Sequence, residues 1–236
     1  LVARNSGLRQ ERAHHIYAGL LTPAALVIDL GAHKGEFSRI IAAEYGCTVL
    51  GLEANPQLFN ALPKLPKTSF LNLAVHNQDA PVTFHVSENP EASSVFEAVA
   101  QATGDLEKVS VRGIKLDTLF KENQIELVDL LKVDIESAEF PMFESASDEC
   151  LRKITQITVE FHISKSVSDY TPARFWTIAR RLKNLGFRAF VMDRDYTDVL
   201  FLNMRRIQPR LSERIAMAMH HWVVAPVRHL LHGGKY

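Results

Sequence analysis

Cysteine is scarce in this sequence. Of its 236 residues only Cys47 and Cys150 are cysteines, and they lie far apart in the chain. A disulfide framework needs several cysteines and a structural zinc site needs closely spaced ones, so neither is expected. A chain of this length buries enough apolar surface to fold without such cross-links. Two unpaired thiols are typical of a reducing compartment, which predicts a cytoplasmic location.

The sequence also lacks an excess of either charge and any long apolar run. It has 27 basic and 27 acidic residues, which argues against a broad electrostatic surface for nucleic acid. No apolar run approaches the length that crosses a bilayer, so no transmembrane segment is expected. The first residue is Leu1 rather than Met, which is compatible with a segment cut from a longer chain.

Short apolar segments alternate with helical patterns through most of the chain. The run AALVID at 24–29 predicts a buried strand, Gly31 follows it, and Phe37 opens a helical pattern. Ser69 to Val75 is interpreted as a third strand. Repeated strand–helix units imply βαβ connections. We therefore predict an α/β, Rossmann-like, mostly parallel sheet with helices on both faces.

The chain divides into three parts by its patterns. They are an N-terminal helical segment at 1–23, the sheet domain at 24–208 and a C-terminal helical tail at 209–236. The tail mixes apolar residues with arginines and histidines. We expect it to pack on the domain or on a second copy in a homo-oligomer, with peripheral membrane contact as the alternative. The irregular stretch from Pro81 to Gly104 is interpreted as a lid or substrate wall.

Polar side chains stand where the predicted strands end. Six of them are acids or a histidine: Asp29, Glu53, Asp134, Glu136, Glu160 and His162. In an open parallel sheet, ligands bind outside the carboxyl ends of the strands, near the point where the strand order reverses. These six residues are therefore the first candidates for a functional site.

The turn after the first strand favours a methyl donor over a dinucleotide. It reads Asp29-Leu-Gly31-Ala-His33-Lys-Gly35 and lacks GxGxxG spacing. A carboxylate at the strand end would repel a pyrophosphate, whereas S-adenosylmethionine presents a cationic amino group there. We predict that Asp29 holds this ammonium, directly or through water. The backbone amides from Gly31 to Gly35 are expected to bind the carboxylate.

Glu53 strengthens this interpretation. It ends the predicted second strand, Cys47 to Glu53. It follows the glycine turn by about 20 residues, where Rossmann-like sheets place an acid for the ribose hydroxyls. Ala74 and Val75 are expected to flank the adenine, near His76 and Asn77. The predicted cofactor is therefore S-adenosylmethionine, with S-adenosylhomocysteine as its product.

Taken together, the motifs resemble the FkbM-type family of class I S-adenosylmethionine-dependent methyltransferases. The matching stretches are VIDLGAHKGEFS (Val27–Ser38), GLEANP (Gly51–Pro56), LNLAV (Leu71–Val75), KLDTLF (Lys115–Phe120), LLKVDIESAE (Leu130–Glu139), ITVEFH (Ile157–His162) and VLFLN (Val199–Asn203). Each stretch alone is unspecific, but the series covers most of the chain in the family's order.

The resemblance implies a seven-stranded sheet with its last strand antiparallel and methyl transfer generally to hydroxyl groups. It also implies cofactor contacts from Asp29, Gly31, Gly35 and Glu53. We add neighbouring positions to the predicted cofactor site: Ala32, His33, Phe37, Ala54, Ala74, Val75 and Asp134.

Two residues depart from the family's usual pattern. Ser137 follows the acid of the VDIE stretch, where the family usually has glycine. Its side chain is expected near the substrate cleft, so it bears on the acceptor geometry more than on the cofactor site. His33 stands where asparagine is common, which is a smaller change.

A hydroxyl acceptor needs a base to take its proton. The candidate catalytic residues are Asp134, Glu136, Glu160 and His162. We predict that Asp134 lies near the methionine end of the cofactor and that His162 or Glu136 is the base. A divalent metal bound by the same groups is an alternative, which the absence of tight ligand spacing disfavours.

The acceptor is predicted to be a small molecule or a glycan. A catalytically silent binding module with the same fold is one alternative function. The intact Asp29, glycine turn and Glu53 favour an enzyme over it. An NAD-dependent oxidoreductase is a weaker alternative, because the glycine spacing does not suit it.

Overall fold

The computed structural model describes residues 7–87, 94, 106–163, 170–193 and 195–207. These residues contain the strands β1 Leu8–Glu11, β2 His14–Tyr17, β3 Leu26–Leu30, β4 Thr48–Leu52, β5 Thr68–Leu71, β6 Ala74–Val75, β7 Pro81–Ser87, β8 Leu106–Ile114, β9 Leu130–Val133, β10 Gln156–Val159, β11 Phe187–Val191 and β12 Val199–Asn203. They also contain the helices α1 Glu36–Tyr45, α2 Pro56–Ala61, α3 Leu116–Glu122, α4 Glu139–Ser145, α5 Asp148–Arg152 and α6 Pro172–Leu185. The predicted tail at 209–236 lies outside the described residues. Within them, no helix has the length and apolar character of a membrane span.

Seven strands form the central sheet in the order β11-β12-β10-β9-β3-β4-β5. Strand β12 runs antiparallel to both of its neighbours, and the other pairs are parallel. This confirms the predicted mostly parallel sheet and the antiparallel last strand. The strand order reverses between β3 and β9, and ligand sites lie outside the carboxyl ends of strands at such a point.

The sheet is buried on both faces. Val27 and Val49 pack with Ile41 of α1 on one face, whereas Ile28 and Leu30 belong to the core on the other face, with residues of α3 and α6. Successive strand residues point to opposite faces, so the strands are largely apolar, with Asp29, Lys132 and Gln156 as buried polar exceptions. This is why the strands appear in the sequence as continuous apolar runs.

Two helix ends follow from local sequence chemistry. The Asn55 side chain accepts hydrogen bonds from the amides of Gln57 and Leu58 at 2.9 and 3.4 Å, so it caps α2 just before Pro56. At the other end of the chain, Gly186 adopts a left-handed conformation with φ of 106° and ends α6.

The predicted helical segment at 1–23 is wrong for its described residues, 7–23, in which the one helical element is the 3-10 helix Ala18–Leu20. Strands β1 and β2 form an antiparallel hairpin there, and every residue of β2 is buried. The side chain of Gln156 in β10 anchors the hairpin, because it accepts from the amide of Tyr17 at 2.8 Å and donates to its carbonyl at 3.2 Å. Docking on the sheet therefore decides the conformation here, which local sequence patterns do not reveal.

The predicted third strand, Ser69–Val75, is two strands in different sheets. Strand β5 ends the central sheet, while β6 pairs with β8 in a three-stranded sheet that also contains β7. Between them, the Asn72 amide donates to the carbonyls of Glu53 and Ala54 at 2.8 and 3.0 Å. These hydrogen bonds turn the chain away from the central sheet after β5.

The turn between β9 and α4 contains two consecutive residues in left-handed conformations. Glu136 has a φ of 50° and Ser137 a φ of 80°. Ser137 is buried, and its hydroxyl has no hydrogen-bond partner among the described residues. A glycine would adopt this φ freely, so serine keeps the backbone that the family's usual glycine suits, at an energetic cost.

We expect Ser137→Gly to raise the free energy of unfolding by about 1 kcal/mol. It removes the cost of a left-handed L-residue and of a buried unpaired hydroxyl, partly offset by the greater freedom of glycine when unfolded. Chemical denaturation measures the change, with Ser137→Ala as the control that removes only the hydroxyl. A glycine variant no more stable than the wild type would contradict this account of the turn.

Candidate active site

A cavity of about 790 Å³ opens at the carboxyl ends of β3, β4, β9 and β10. Most of the predicted site residues line it: Gly31, Ala32, His33, Phe37, Glu53, Ala54, Ala74, Val75, Asp134, Glu136, Glu160 and His162. The fold therefore brings together residues that are widely separated in the sequence. Two predicted residues, Asp29 and Gly35, are not among the lining residues.

Asp29 is completely buried beneath the cavity. One of its carboxylate oxygens accepts from the Ser38 hydroxyl at 2.6 Å, and the other lies 3.2 Å from the Lys132 ammonium. Asp29 is therefore too deeply buried for direct contact with a ligand's amino group, which is one of the two contacts predicted for it; the contact through water stays a prediction. Its carboxylate is committed to holding Lys132.

Lys132 is the central cation of the site, although sequence analysis missed it. Its side chain is buried within β9, and its ammonium donates to the Gly31 carbonyl at 2.7 Å. It also lies 3.3 Å from an Asp134 carboxylate oxygen. Burial alone would lower the pKa of Lys132, but Asp134 and Asp29 raise it above its ordinary value. A single charged residue inside the apolar run LLKV was the available signal.

Gly31 allows the ends of β3 and β9 to meet. It has a φ of 80°, and a Cβ atom there would lie 1.7 Å from the Asp134 carbonyl oxygen. Any side chain would therefore push the two strand ends apart. Gly35 also has a positive φ, 73°, at the cap of α1, where a Cβ atom would approach Leu62 to 3.1 Å.

The amides of the glycine turn are mostly engaged within the protein. Those of Gly31 and Ala32 donate to the Leu52 carbonyl, that of His33 to Glu53, and that of Gly35 to the Ala32 carbonyl. Four of the five amides that were predicted to bind a carboxylate therefore already have acceptors within the protein, and the amide of Lys34 is the fifth. The first turn of α1 supplies the alternative, because the first amides of a helix lack partners within it.

Glu53 lines the cavity at the end of β4, on the other side of β3 from Glu136, which follows β9. Its two oxygens accept from the amides of His33 and Asn55 at 2.7 and 2.8 Å, which fixes the carboxylate. Burial raises the pKa of Glu53 to about 7, against the opposing effect of these two amides. Each oxygen keeps a lone pair for a further donor.

Apolar side chains form a wall of the cavity near the end of β4, where Ala54, the residue after Glu53, packs against the cluster that contains Ala74 and Phe84. Ala74 and Val75 were predicted there, and Leu73 and Phe84 complete the wall. Phe84 belongs to β7, at the start of the stretch predicted to be a lid or wall. From the same stretch, the Ser94 hydroxyl donates to the Glu136 carbonyl at 2.6 Å.

Four titratable side chains surround His162 and Asp134. The Nε2 atom of His162 lies 3.3 Å from Glu136 and 3.8 Å from Glu160, and its Nδ1 atom lies 3.0 Å from Glu139. On the other side, Nε2 of the buried His14 lies 3.7 Å from Asp134. Sequence analysis missed His14 and Glu139. His14 stands in the misassigned N-terminal segment, and Glu139 belongs to a helix, whereas the prediction considered residues at strand ends.

The surroundings of these side chains shift their pKa values in different directions. Burial alone would raise the pKa of Asp134, but Lys132 and His14 hold it well below its usual range. Burial raises the pKa of Glu136 to about 8 and also raises that of Glu160. Burial would lower the pKa of His162, but Glu139 and Glu136 raise it well above its ordinary value. These neighbours therefore favour the protonated form of His162, and the raised pKa of Glu136, about 8, favours its neutral form at neutral pH.

Two overlapping sets of side chains could each hold a metal ion, because the ligand atoms of each set lie within 4.8 Å of one another. One contains His14, Asp134 and Glu160, and the other contains Asp134, Glu136 and His162. Both sets share Asp134, whose carboxylate already pairs with Lys132. The charge of this cluster is thus balanced in part by cations of the protein itself.

Comparison with solved structures finds matches at low identity. WbdD is 11% identical, with a TM-score of 0.44; the match covers 76% of this chain and 35% of WbdD, about a third of its length. Magnesium protoporphyrin IX methyltransferase (ChlM) from Synechocystis PCC 6803, with bound S-adenosylmethionine, is 14% identical, with coverages of 78% and 70% and a TM-score of 0.40. The plantazolicin methyltransferase BpumL, in complex with S-adenosylhomocysteine, is 9% identical, with coverages of 89% and 72% and a TM-score of 0.42.

No curated protein matches the sequence. The model of the methyltransferase FkbM domain, in contrast, matches residues 29–189. This match begins at Asp29, at the end of β3, and ends in β11, so it spans the cavity and more than half of the chain. The protein therefore belongs to the FkbM methyltransferase family.

Proposed function

We propose that this protein transfers a methyl group from S-adenosylmethionine to a hydroxyl of a small molecule or glycan. One observation carries the proposal: a single cavity has a fixed carboxylate and an apolar wall at one end and a cluster of acids with a cationic histidine at the other. When bound, the cofactor supplies the electrophilic methyl group. The residues of the protein bind it, orient the acceptor and remove the acceptor's proton.

The cavity offers complementary groups for each part of the cofactor. Glu53 would accept hydrogen bonds from the two ribose hydroxyls, and the wall around Ala74 and Val75 would hold the adenine. Asp134 lines the cavity together with Glu136. Lys132 and His14 hold the pKa of Asp134 well below its usual range, so its carboxylate is ionised. We assign it to the amino group, in place of the buried Asp29. The first turn of α1 would meet the carboxylate.

Glu136 is the best base among the candidates. A base works best when its pKa lies near the working pH, and burial raises the pKa of Glu136 to about 8. The acids around His162 raise its pKa well above its ordinary value and so favour its protonated form, which makes it the weaker candidate for the base. Its imidazolium instead lies 3.3 Å from the Glu136 carboxylate. It would hold that carboxylate in place.

The acceptor end is rich in hydrogen-bond acceptors. Glu136 and Glu160 are each about a quarter exposed to the cavity, at 27% and 26% of their side chains. Carboxylates that face a shared space suit a ligand with several hydroxyl donors. This favours a polyhydroxylated acceptor. Both cysteines are buried and free, which supports the proposed cytoplasmic location.

Ligand-induced stabilisation separates the proposed enzyme from its alternatives. S-adenosylmethionine and S-adenosylhomocysteine should each raise the thermal unfolding temperature, whereas NAD should not, because only a ligand that binds the folded state stabilises it. Stabilisation by NAD alone would favour an oxidoreductase. Binding of the methyl donor without transfer to any of a panel of methyl glycosides and small polyols would favour a silent binding module.

The first prediction for the site concerns Glu53 and the affinity for S-adenosylhomocysteine. We expect Glu53→Ala to weaken binding roughly 100-fold, because it removes a charged acceptor of two hydrogen bonds. Calorimetric titration measures this, with Glu44→Ala on the exposed side of α1 as the matched control.

The pH dependence of that affinity tests the same contact. The carboxylate form of Glu53 binds the ribose, and its pKa is about 7. Affinity should therefore be constant above pH 7 and fall about tenfold for each pH unit below it. The contact is refuted by a dissociation constant that stays the same between pH 6 and pH 8.

Glu136 determines the expected pH profile of methyl transfer. Its deprotonated form is the active base, so the rate should rise with pH up to about 8 and then level off. Glu136→Gln should lower kcat by about 10²- to 10⁴-fold and abolish this rise. Transfer from radiolabelled S-adenosylmethionine measures both effects, with the exposed Glu144→Gln as control. A normal profile in the glutamine variant would assign the base elsewhere.

Chelation distinguishes this mechanism from one that uses a metal. Because Lys132 and His162 supply positive charge beside Asp134 and Glu136, we expect transfer to survive exhaustive dialysis against a chelator within about twofold. Activity that disappears on chelation and returns with added Mg²⁺ or Mn²⁺ would instead establish a metal-assisted reaction.

A further inference from the structure

Glu139 is a completely buried acid that contacts the cavity residue His162. It is the first residue of α4 and is not among the residues that line the cavity. Three donors converge on its Oε1 atom: the amides of Ile135 and Ser137, at 3.1 and 3.2 Å, and Nδ1 of His162, at 3.0 Å. A buried carboxylate is costly unless it is paired and hydrogen-bonded; these contacts satisfy Oε1, whereas Oε2 has no hydrogen-bond partner among the described residues.

The contact with His162 determines the direction in which the ring presents its other nitrogen. Because Nδ1 donates to Glu139, Nε2 faces the two cavity acids, 3.3 Å from Glu136 and 3.8 Å from Glu160. A carboxylate that accepts from one ring nitrogen fixes both the orientation and the protonation of an imidazole. Glu139 is thus linked to Glu136 through a single side chain.

The contacts with the backbone act on Glu136 directly. Its neighbours on either side, Ile135 and Ser137, both donate their amides to the same oxygen of Glu139. Glu136 and Ser137 both have positive φ values, which L-residues rarely adopt without support. The carboxylate of Glu139 therefore supports the turn that presents Glu136 to the cavity.

We propose that Glu139 is a positioning residue for methyl transfer, which acts through His162 and the 135–137 turn to hold the Glu136 carboxyl group at the acceptor. The proposal rests on the proposed function for the role of Glu136. Its structural part, the link from Glu139 to His162 and the turn, stands independently. Glu139 itself touches neither cofactor nor acceptor.

The structural part is tested without any acceptor. In the wild-type protein, the His162 Nδ1 proton should give a downfield NMR resonance, identified by its loss in His162→Gln. In Glu139→Gln this resonance should move upfield, because a neutral acceptor makes a weaker hydrogen bond. The amides of Ile135 and Ser137 should exchange faster with solvent in Glu139→Ala. Glu144→Gln, an exposed position on the same helix, should change neither.

The kinetic part uses the acceptor that the methyl glycoside and polyol panel identifies. Glu139→Gln should lower kcat on the order of 10²-fold while the KM for S-adenosylmethionine stays within about twofold. The double variant Glu139→Gln/His162→Gln should be no slower than His162→Gln alone, because residues that act through one another are not additive. A role in folding alone would lower stability but leave kcat of the folded enzyme unchanged.

The outcomes separate this proposal from the proposed function. An unchanged His162 resonance and unchanged amide exchange in the Glu139 variants overturn the positioning role, whether or not transfer is found. Independent, multiplying losses in the double variant also overturn it. Transfer to no acceptor, with both NMR effects present, instead counts against the proposed function and leaves the link from Glu139 to His162 established. If Glu139→Gln does not fold, Glu139→Asp keeps the charge, withdraws the carboxylate and gives the same readouts.

Discussion

The buried ammonium of Lys132 holds the two central strands together where the site begins. It lies between Asp29 at the end of β3 and Asp134 at the end of β9, and it donates to the Gly31 carbonyl. Removal of one partner from such a cluster leaves an uncompensated buried charge, which is strongly destabilising. The glycine at position 31 is required by the same arrangement, because the Asp134 carbonyl occupies the space of a side chain. The cavity therefore depends on this ion cluster.

The site assigns different tasks to acids that look alike in the sequence. Asp134 stays ionised beside Lys132, whereas Glu136 and Glu160 are raised in pKa by burial. Glu53 stands apart from them and is fixed by two backbone amides. Environment rather than residue type thus decides which carboxylate binds a cation, which accepts hydroxyls and which takes a proton.

Sequence patterns predict the parts of this structure that depend on local chemistry. The apolar runs identified the buried strands, and Asn55 and Gly186 belong to residue types that commonly cap helices, as both do in the structure. The strand-end acids were found because a parallel sheet brings its carboxyl ends to one edge. Contacts between distant residues were not predictable in this way. Asp29 and Lys132 form an ion pair between the neighbouring strands β3 and β9. The N-terminal hairpin is held on the sheet by hydrogen bonds with Gln156.

A structure of the protein with S-adenosylhomocysteine bound tests the central claim most directly. We predict that the ribose hydroxyls lie at the Glu53 carboxylate and that the adenine packs against Ala74 and Val75. The sulfur should point towards Asp134 and Glu136. A ligand that lies elsewhere, or that makes no contact with Glu53, would contradict this claim.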